Sequence, residues 1–98
     1  MFAVSVGDTI YGAWTNAHHG AITANVTALE VKAVVDGEVF LRSQSGYLRQ
    51  PLYGETLCAT ESEGWEVCAR ELSAIADLVA ERLLEAQQRA ARARVVIA

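Results

Sequence analysis

Two patterns of apolar and polar positions divide the chain at Thr60. Before it, short runs rich in β-branched and aromatic residues are broken by Gly, Asp, Asn and Pro, which is how strands and turns read. Gly7-Asp8 predicts a turn, residues 9–15 a strand, residues 16–20 a loop, and residues 21–35 one bent strand or two. Asp36-Gly37 then stands between Val-Lys-Ala-Val-Val and Glu-Val-Phe-Leu-Arg-Ser. That dipeptide suits a two-residue type I′ turn, which needs positive φ at both positions, so residues 31–35 and 38–43 predict a hairpin. Residues 47–52 and 55–59 predict one or two further strands, with Pro51 at an edge or bulge because it has no N–H for a ladder. About five short strands in sixty residues predict a small antiparallel barrel or a curled sheet.

After Thr60 the period becomes helical. Thr60-Glu61-Ser62-Glu63 fits a capping box, with the Thr60 hydroxyl accepting from the Glu63 N–H and the Glu63 carboxylate accepting from the Thr60 N–H. Trp65, Cys68, Leu72, Ile75, Ala76, Val79, Leu83, Ala86 and Ala90 recur at the spacing of one helix face, while Glu66, Arg70, Asp77, Glu81, Glu85 and Gln88 fall opposite. Glu66 with Arg70 and Glu85 with Arg89 stand at i,i+4 in the favourable order. No Gly or Pro interrupts residues 65–94. The expectation is therefore an α+β fold in a single domain, residues 1–98: a β-rich half over 1–59, one long amphipathic helix over 60–94, and an apolar tail at 95–98.

The length of that helix carries the first functional inference. Thirty-odd residues at about 1.5 Å each span roughly 50 Å, whereas a body of sixty residues is roughly 25 to 30 Å across. The helix overhangs, and an apolar stripe left in water calls for a cover. The possible covers are a second copy, another protein, or the folded-back tail 95–98. The near-heptad spacing favours a helical partner and hence a homodimer, with Trp65, Leu72, Ile75, Val79, Leu83 and Ala86 as the interface.

Charge and composition narrow the function classes. A net charge of −4, with one Lys and seven Arg, argues against a protein that grips nucleic acid through its phosphates. Arg82, Arg89, Arg92 and Arg94 lie near the helix C-terminus, where cations are favoured in any case. With 52% hydrophobic residues and a mean hydropathy of +0.19, the chain has the material for a core. No run approaches the roughly 20 apolar residues of a membrane span, and the first residues lack a basic leader, so a cytoplasmic protein of a bacterial cell is expected. Abundant Ala, Val and Arg with almost no Lys suggest a GC-rich bacterial or phage genome.

The chemistry-bearing residues are sparse. His18-His19 are adjacent, so in extended chain they point to opposite sides and do not share a metal ion; an exposed turn is the plain reading. Cys58 and Cys68 lack Cys-x-x-Cys spacing and read as buried thiols. The chain has no nucleophile elbow, P-loop, His-Glu-x-x-His pair or dinucleotide turn, and thus no expected catalytic residue, metal or cofactor. Tyr11, Trp14, Phe40, Tyr47 and Tyr53 offer aromatic surface. Tyr47 and Tyr53 with Arg42 and Arg49 make an alternative nucleic-acid platform on the sheet, set against the plainer reading that about half of these aromatics are core.

Val6-Gly7-Asp8-Thr9-Ile10-Tyr11 resembles the first turn and strand of SH3-like barrels. The stretch Leu57-Cys58-Ala59-Thr60-Glu61-Ser62-Glu63, where a last strand enters a long acidic then basic helix, is similar to that of small phage-encoded accessory proteins. Together these cover about a dozen residues in detail. The resemblance implies a non-enzymatic protein that acts by binding a host or phage protein, including inhibitors of host defence complexes of the anti-CRISPR kind. It carries over no catalytic residue.

Overall fold

The computed structural model describes residues 2–18 and 20–97, with side chains described as far as Arg94. The fold is α+β: a five-stranded antiparallel open sheet followed by one long helix. The strands are β1 (Thr9–His18), β2 (Ala21–Val35), β3 (Glu38–Arg42), β4 (Leu48–Arg49) and β5 (Thr56–Cys58), and the helix is α1 (Glu61–Ile97). Their order across the sheet is β4-β3-β2-β1-β5.

The sheet does not close into the barrel that was one of the two expectations. Closure needs a ladder between the outermost strands, but β4 has 2 residues and β5 has 3, and each pairs on one side only. The sheet is open instead. Within it the β2–β3 pairing steps from Val31↔Leu41 to Ala33↔Phe40 and leaves Lys32 as the extra residue of a bulge.

Turn chemistry fixes the best-read part. Asp36 and Gly37 adopt φ of 53° and 79°, and Val35 pairs with Glu38 across them, as a type I′ hairpin requires. The loop expected at 16–20 is mostly strand instead. β1 runs to His18, and Ala17 pairs with Ile22, so the reversal is confined to the few residues before Ala21. Register set deeper in the sheet, at Ile10↔Leu29, carries the ladder through residues with no strand preference of their own. The segments expected at 47–52 and 55–59 shrink to β4 and β5, with Pro51 in the connection between them.

Both faces of the central strands are covered, so β1 buries Ile10, Gly12 and Ala13 without strict alternation. On one face Ile10, Leu29, Val31, Val39 and Leu41 form a core closed by Phe2, Val4 and Leu57. The turn at Val6-Gly7-Asp8 sends the N-terminal segment over this core. It is pinned to β2 by Gly7 N–H to the Val31 carbonyl at 2.8 Å and Val31 N–H to the Asp8 carbonyl at 2.9 Å. Ala13, Cys58 and Cys68 form a second core with Tyr11, Ala24, Val26 and Val67, and this is where α1 docks.

Candidate interaction surface

Helix α1 begins where the sequence places it. The Glu63 N–H donates to the Thr60 hydroxyl at 3.2 Å, but the Glu63 carboxylate accepts from the Ala59 N–H at 3.3 Å, one residue before the expected Thr60 N–H. The first turn then presses onto the sheet. A Cβ on Gly64 would stand 2.8 Å from Val26 Cγ1, so glycine is what lets the helix approach β2 this closely. One turn later Cys68 is 1% exposed and directs its Sγ at the main-chain carbonyls of Asn25 (3.8 Å) and Trp14 (4.0 Å). The Thr15 hydroxyl donates to the Glu71 carboxylate and ties the helix to β1.

Docking ends soon after. Val67, Glu71, Leu72 and Ile75 are half-buried, and from Ala76 to Arg94 every side chain except the half-buried Glu85 is exposed. The 37-residue helix is about 55 Å long, and the molecule measures 69 × 24 × 22 Å, so more than half of α1 projects beyond the sheet. The expected apolar tail at 95–98 is not a separate element, since the helical backbone continues through Ile97; Ala98 lies outside the described residues. Between Ala76 and Arg94 the apolar face remains in water: Leu78 is 52% exposed, Val79 58%, Leu83 58% and Leu84 56%. Glu85 accepts from Arg82 at 3.1 Å and from Arg89 at 2.8 Å, which forms one of the two expected i,i+4 pairs and adds an i,i+3 pair.

The six residues expected to form a helix interface therefore divide into three groups. Leu72 and Ile75 lie at the margin of the molecule's own docking surface. Val79, Leu83 and Ala86 stand on the free segment. Trp65, 47% exposed, sits at the root of the helix beside the sheet.

The alternative surface on the sheet is arranged differently from the expectation. Tyr53 is fully exposed and Tyr47 is 76% exposed, but the arginines between them are engaged. Arg49 holds Glu55 in a two-pronged pair, Nη1 to Oε1 at 2.8 Å and Nη2 to Oε2 at 3.0 Å. The Glu55 carboxylate also accepts the Leu52 N–H at 3.1 Å, and its side chain is 3% exposed. It lies over Gly12 of β1, where a Cβ would stand 2.8 Å from Glu55 Cδ. Arg49 belongs to β4, and Glu55 leads into β5. A side-chain ion pair thus links the two edge strands where a closed barrel would have a ladder. Arg42 turns its Nε onto the Gly46 carbonyl at 3.3 Å and so holds the loop after β3.

The remaining chemistry is modest. Both cysteines are buried free thiols, and burial first, then the nearby Glu63 carboxylate, pushes the Cys58 thiol above its ordinary pKa. Among the described residues no three or more His, Cys, Asp or Glu side chains group as a metal site. His18 ends β1 on an exposed position, and His19 lies outside the described residues. An open groove of about 410 Å³ runs between Tyr11, Val26 and Glu61, whereas the first core is filled by Leu29, Val31 and Leu41. Among the described residues no helix is long and apolar enough to cross a membrane. No protein-family model matches the chain, and neither a curated protein nor a solved structure matches it.

Proposed function

We propose that the chain is a non-enzymatic phage or mobile-element accessory protein that acts by protein–protein contact inside a bacterial cell, as an inhibitor of a host defence complex. One observation supports the contact reading above the others. More than half of a 37-residue helix stands clear of the sheet while keeping an apolar face, with Val79 and Leu83 each 58% exposed. An apolar stripe of this kind marks an interaction site far more often than it marks idle surface. The sheet and the docked part of the helix then serve to hold and aim the projection.

The nucleic-acid alternative is the weaker one. It needs Arg49 at the surface, and that guanidinium is occupied by Glu55. It also needs basic surface from a chain of net charge −4.

The test is phage plating on a bacterium with active CRISPR interference that expresses the protein. Wild-type protein restores plaques, and Val79→Asp with Leu83→Asp loses the effect while circular dichroism shows an unchanged fold. Plating unmoved by the wild-type chain overturns the defence-inhibitor reading. Full activity in the folded double variant overturns the helix as the contact element.

A further inference from the structure

We propose that the projecting part of α1 pairs with the same helix of a second copy, antiparallel, in a register that sets Leu83 against Ala86 of the second copy. This rests on reading the projection as a contact element and names what covers it.

The free face repeats at alternating steps of four and three: Leu72, Ala76, Val79, Leu83, Ala86, Ala90 and Ala93. A seam with that period is what a two-helix coil needs, since each step keeps the same face toward the partner. The larger residues lie in the first half of the projection and the alanines in the second. An antiparallel register centred between Leu83 and Ala86 sets Val79 against Ala90 and Ala76 against Ala93 of the second copy. Between Ala76 and Ala93 each branched side chain of the seam then meets an alanine, which lets the helices approach closely and leaves no layer of two large groups within that stretch. A parallel pairing stacks Leu83 on Leu83 of the second copy at one end and alanine on alanine at the other.

Charge decides the direction independently. Residues 76–85 carry Asp77, Glu81 and Glu85 against Arg82, a net of −2, and residues 86–94 carry Arg89, Arg92 and Arg94, a net of +3. Antiparallel pairing lays the acidic half of each helix along the basic half of the other and also opposes the two helix dipoles. Parallel pairing sets like against like throughout. In the antiparallel register Asp77 comes beside Arg94 of the second copy. Next to the twofold axis the same register brings Arg82 alongside Arg89 of the second copy, and Glu85, bonded to both arginines of its own helix, offsets that like-charge contact. In the parallel arrangement Arg89 faces Arg94 of the second copy instead, five residues on, the relation of flanking charges in parallel coils.

The experiment is sedimentation equilibrium on the full chain, on Asp77→Arg, on Arg94→Asp and on the double exchange, over about 5 to 500 µM, the range suited to a small, alanine-rich seam. Each single exchange is expected to raise the dimer dissociation constant about tenfold, because two exposed pairs per dimer turn from attraction to repulsion. The double exchange is expected to return it to within about threefold of wild type. The rescue separates a lost cross-helix pair from fraying of the last turn, which the double exchange would share. Tighter association of Arg94→Asp is the parallel result and overturns the proposal, as does a double variant no better than the singles. A wild-type chain that stays monomeric throughout overturns the second copy as occupant while leaving the helix as a contact element for a different protein, which the plating test reads separately.

Discussion

The pair between Arg49 and Glu55 gives the sharpest test of how the sheet is held together. Replacing Glu55 by Ala removes both carboxylate acceptors of a guanidinium whose side chain is only 23% exposed and leaves it the Gln50 carbonyl, at 3.1 Å. Breaking a buried ion pair from one side costs about 3 to 5 kcal/mol. The partial exposure of Arg49 and its remaining bond to the Gln50 carbonyl offset some of that cost, so about 2 to 3 kcal/mol is expected. Arg49→Ala leaves a carboxylate that is 3% exposed with one remaining donor, and a loss of about 3 kcal/mol follows by the same reasoning. For a chain of this size each kcal/mol lowers Tm by about 4 to 8 °C. Both single variants are therefore expected to melt at least 8 °C below wild type, on the order of magnitude of that scaling. The double variant should lose clearly less than the two singles together, with a coupling of about 1.5 to 3 kcal/mol. The measurement is a double-mutant cycle by urea titration followed at 222 nm. Single variants within about 0.5 kcal/mol of wild type would show a solvent-screened surface pair and refute the reasoning. They would also return Arg49 to the list of residues free to meet a ligand.

Two other predictions concern the docked end of the helix. Gly64→Val should destabilise by about 2 kcal/mol or more although it removes a glycine from a helix, because the new side chain meets Val26 where even a Cβ is too close; a stabilised variant in the same titration would mean that the helix sits farther from β2. The Cys58 thiol should react with iodoacetamide at pH 8 far more slowly in the native protein than in urea, since burial raises its pKa and blocks access. The raised value means that the folded state holds the proton more tightly. Its contribution is complete below the ordinary thiol value of 9.0 and is lost as pH rises through the higher folded value; native labelling as fast as that of unfolded chain would contradict the burial.

What the sequence made legible was local, and what it left hidden was not. The hairpin at Asp36-Gly37 and the cap at Thr60 each rest on residues within four positions of one another, and both formed, with the Glu63 carboxylate moved by one residue. The strand through Asn16, Ala17 and His18 was missed because it is imposed by register from Ile10↔Leu29, and nothing in those residues favours a strand. Glu55 was missed for a related reason. Glu55 reads as the first residue of a strand with nothing to single out its carboxylate, and only the folded chain brings it over Gly12 and against Arg49. Arg49 was then assigned to open surface, the natural place for an arginine whose partner is unseen. Along the helix the stripe from Leu72 to Ala90 was read correctly as a face, but where it leaves the sheet was not readable. The same 3.6 period serves a residue that touches its own sheet and one that stays exposed beyond it.

That last point bears on why the projection can carry a function at all. Residues 60–75 contain the cap, the close approach at Gly64, the buried Cys68 and the Thr15–Glu71 bond, and these together fix the start of the helix and its direction. Once a helix is nucleated and held, each further residue adds one hydrogen bond for one residue ordered, which Ala, Leu, Glu, Gln and Arg do at little or no net cost. The segment beyond Ile75 is built almost wholly from those residues, so it extends as helix without support from the core. Substitutions on its surface are correspondingly free of the folding constraint that holds Gly64 and Cys68 in place. On the proposed reading, stability and contact lie on separate stretches of one helix: changes before Ile75 should act through the fold, and changes after Ala76 through whatever meets the exposed face.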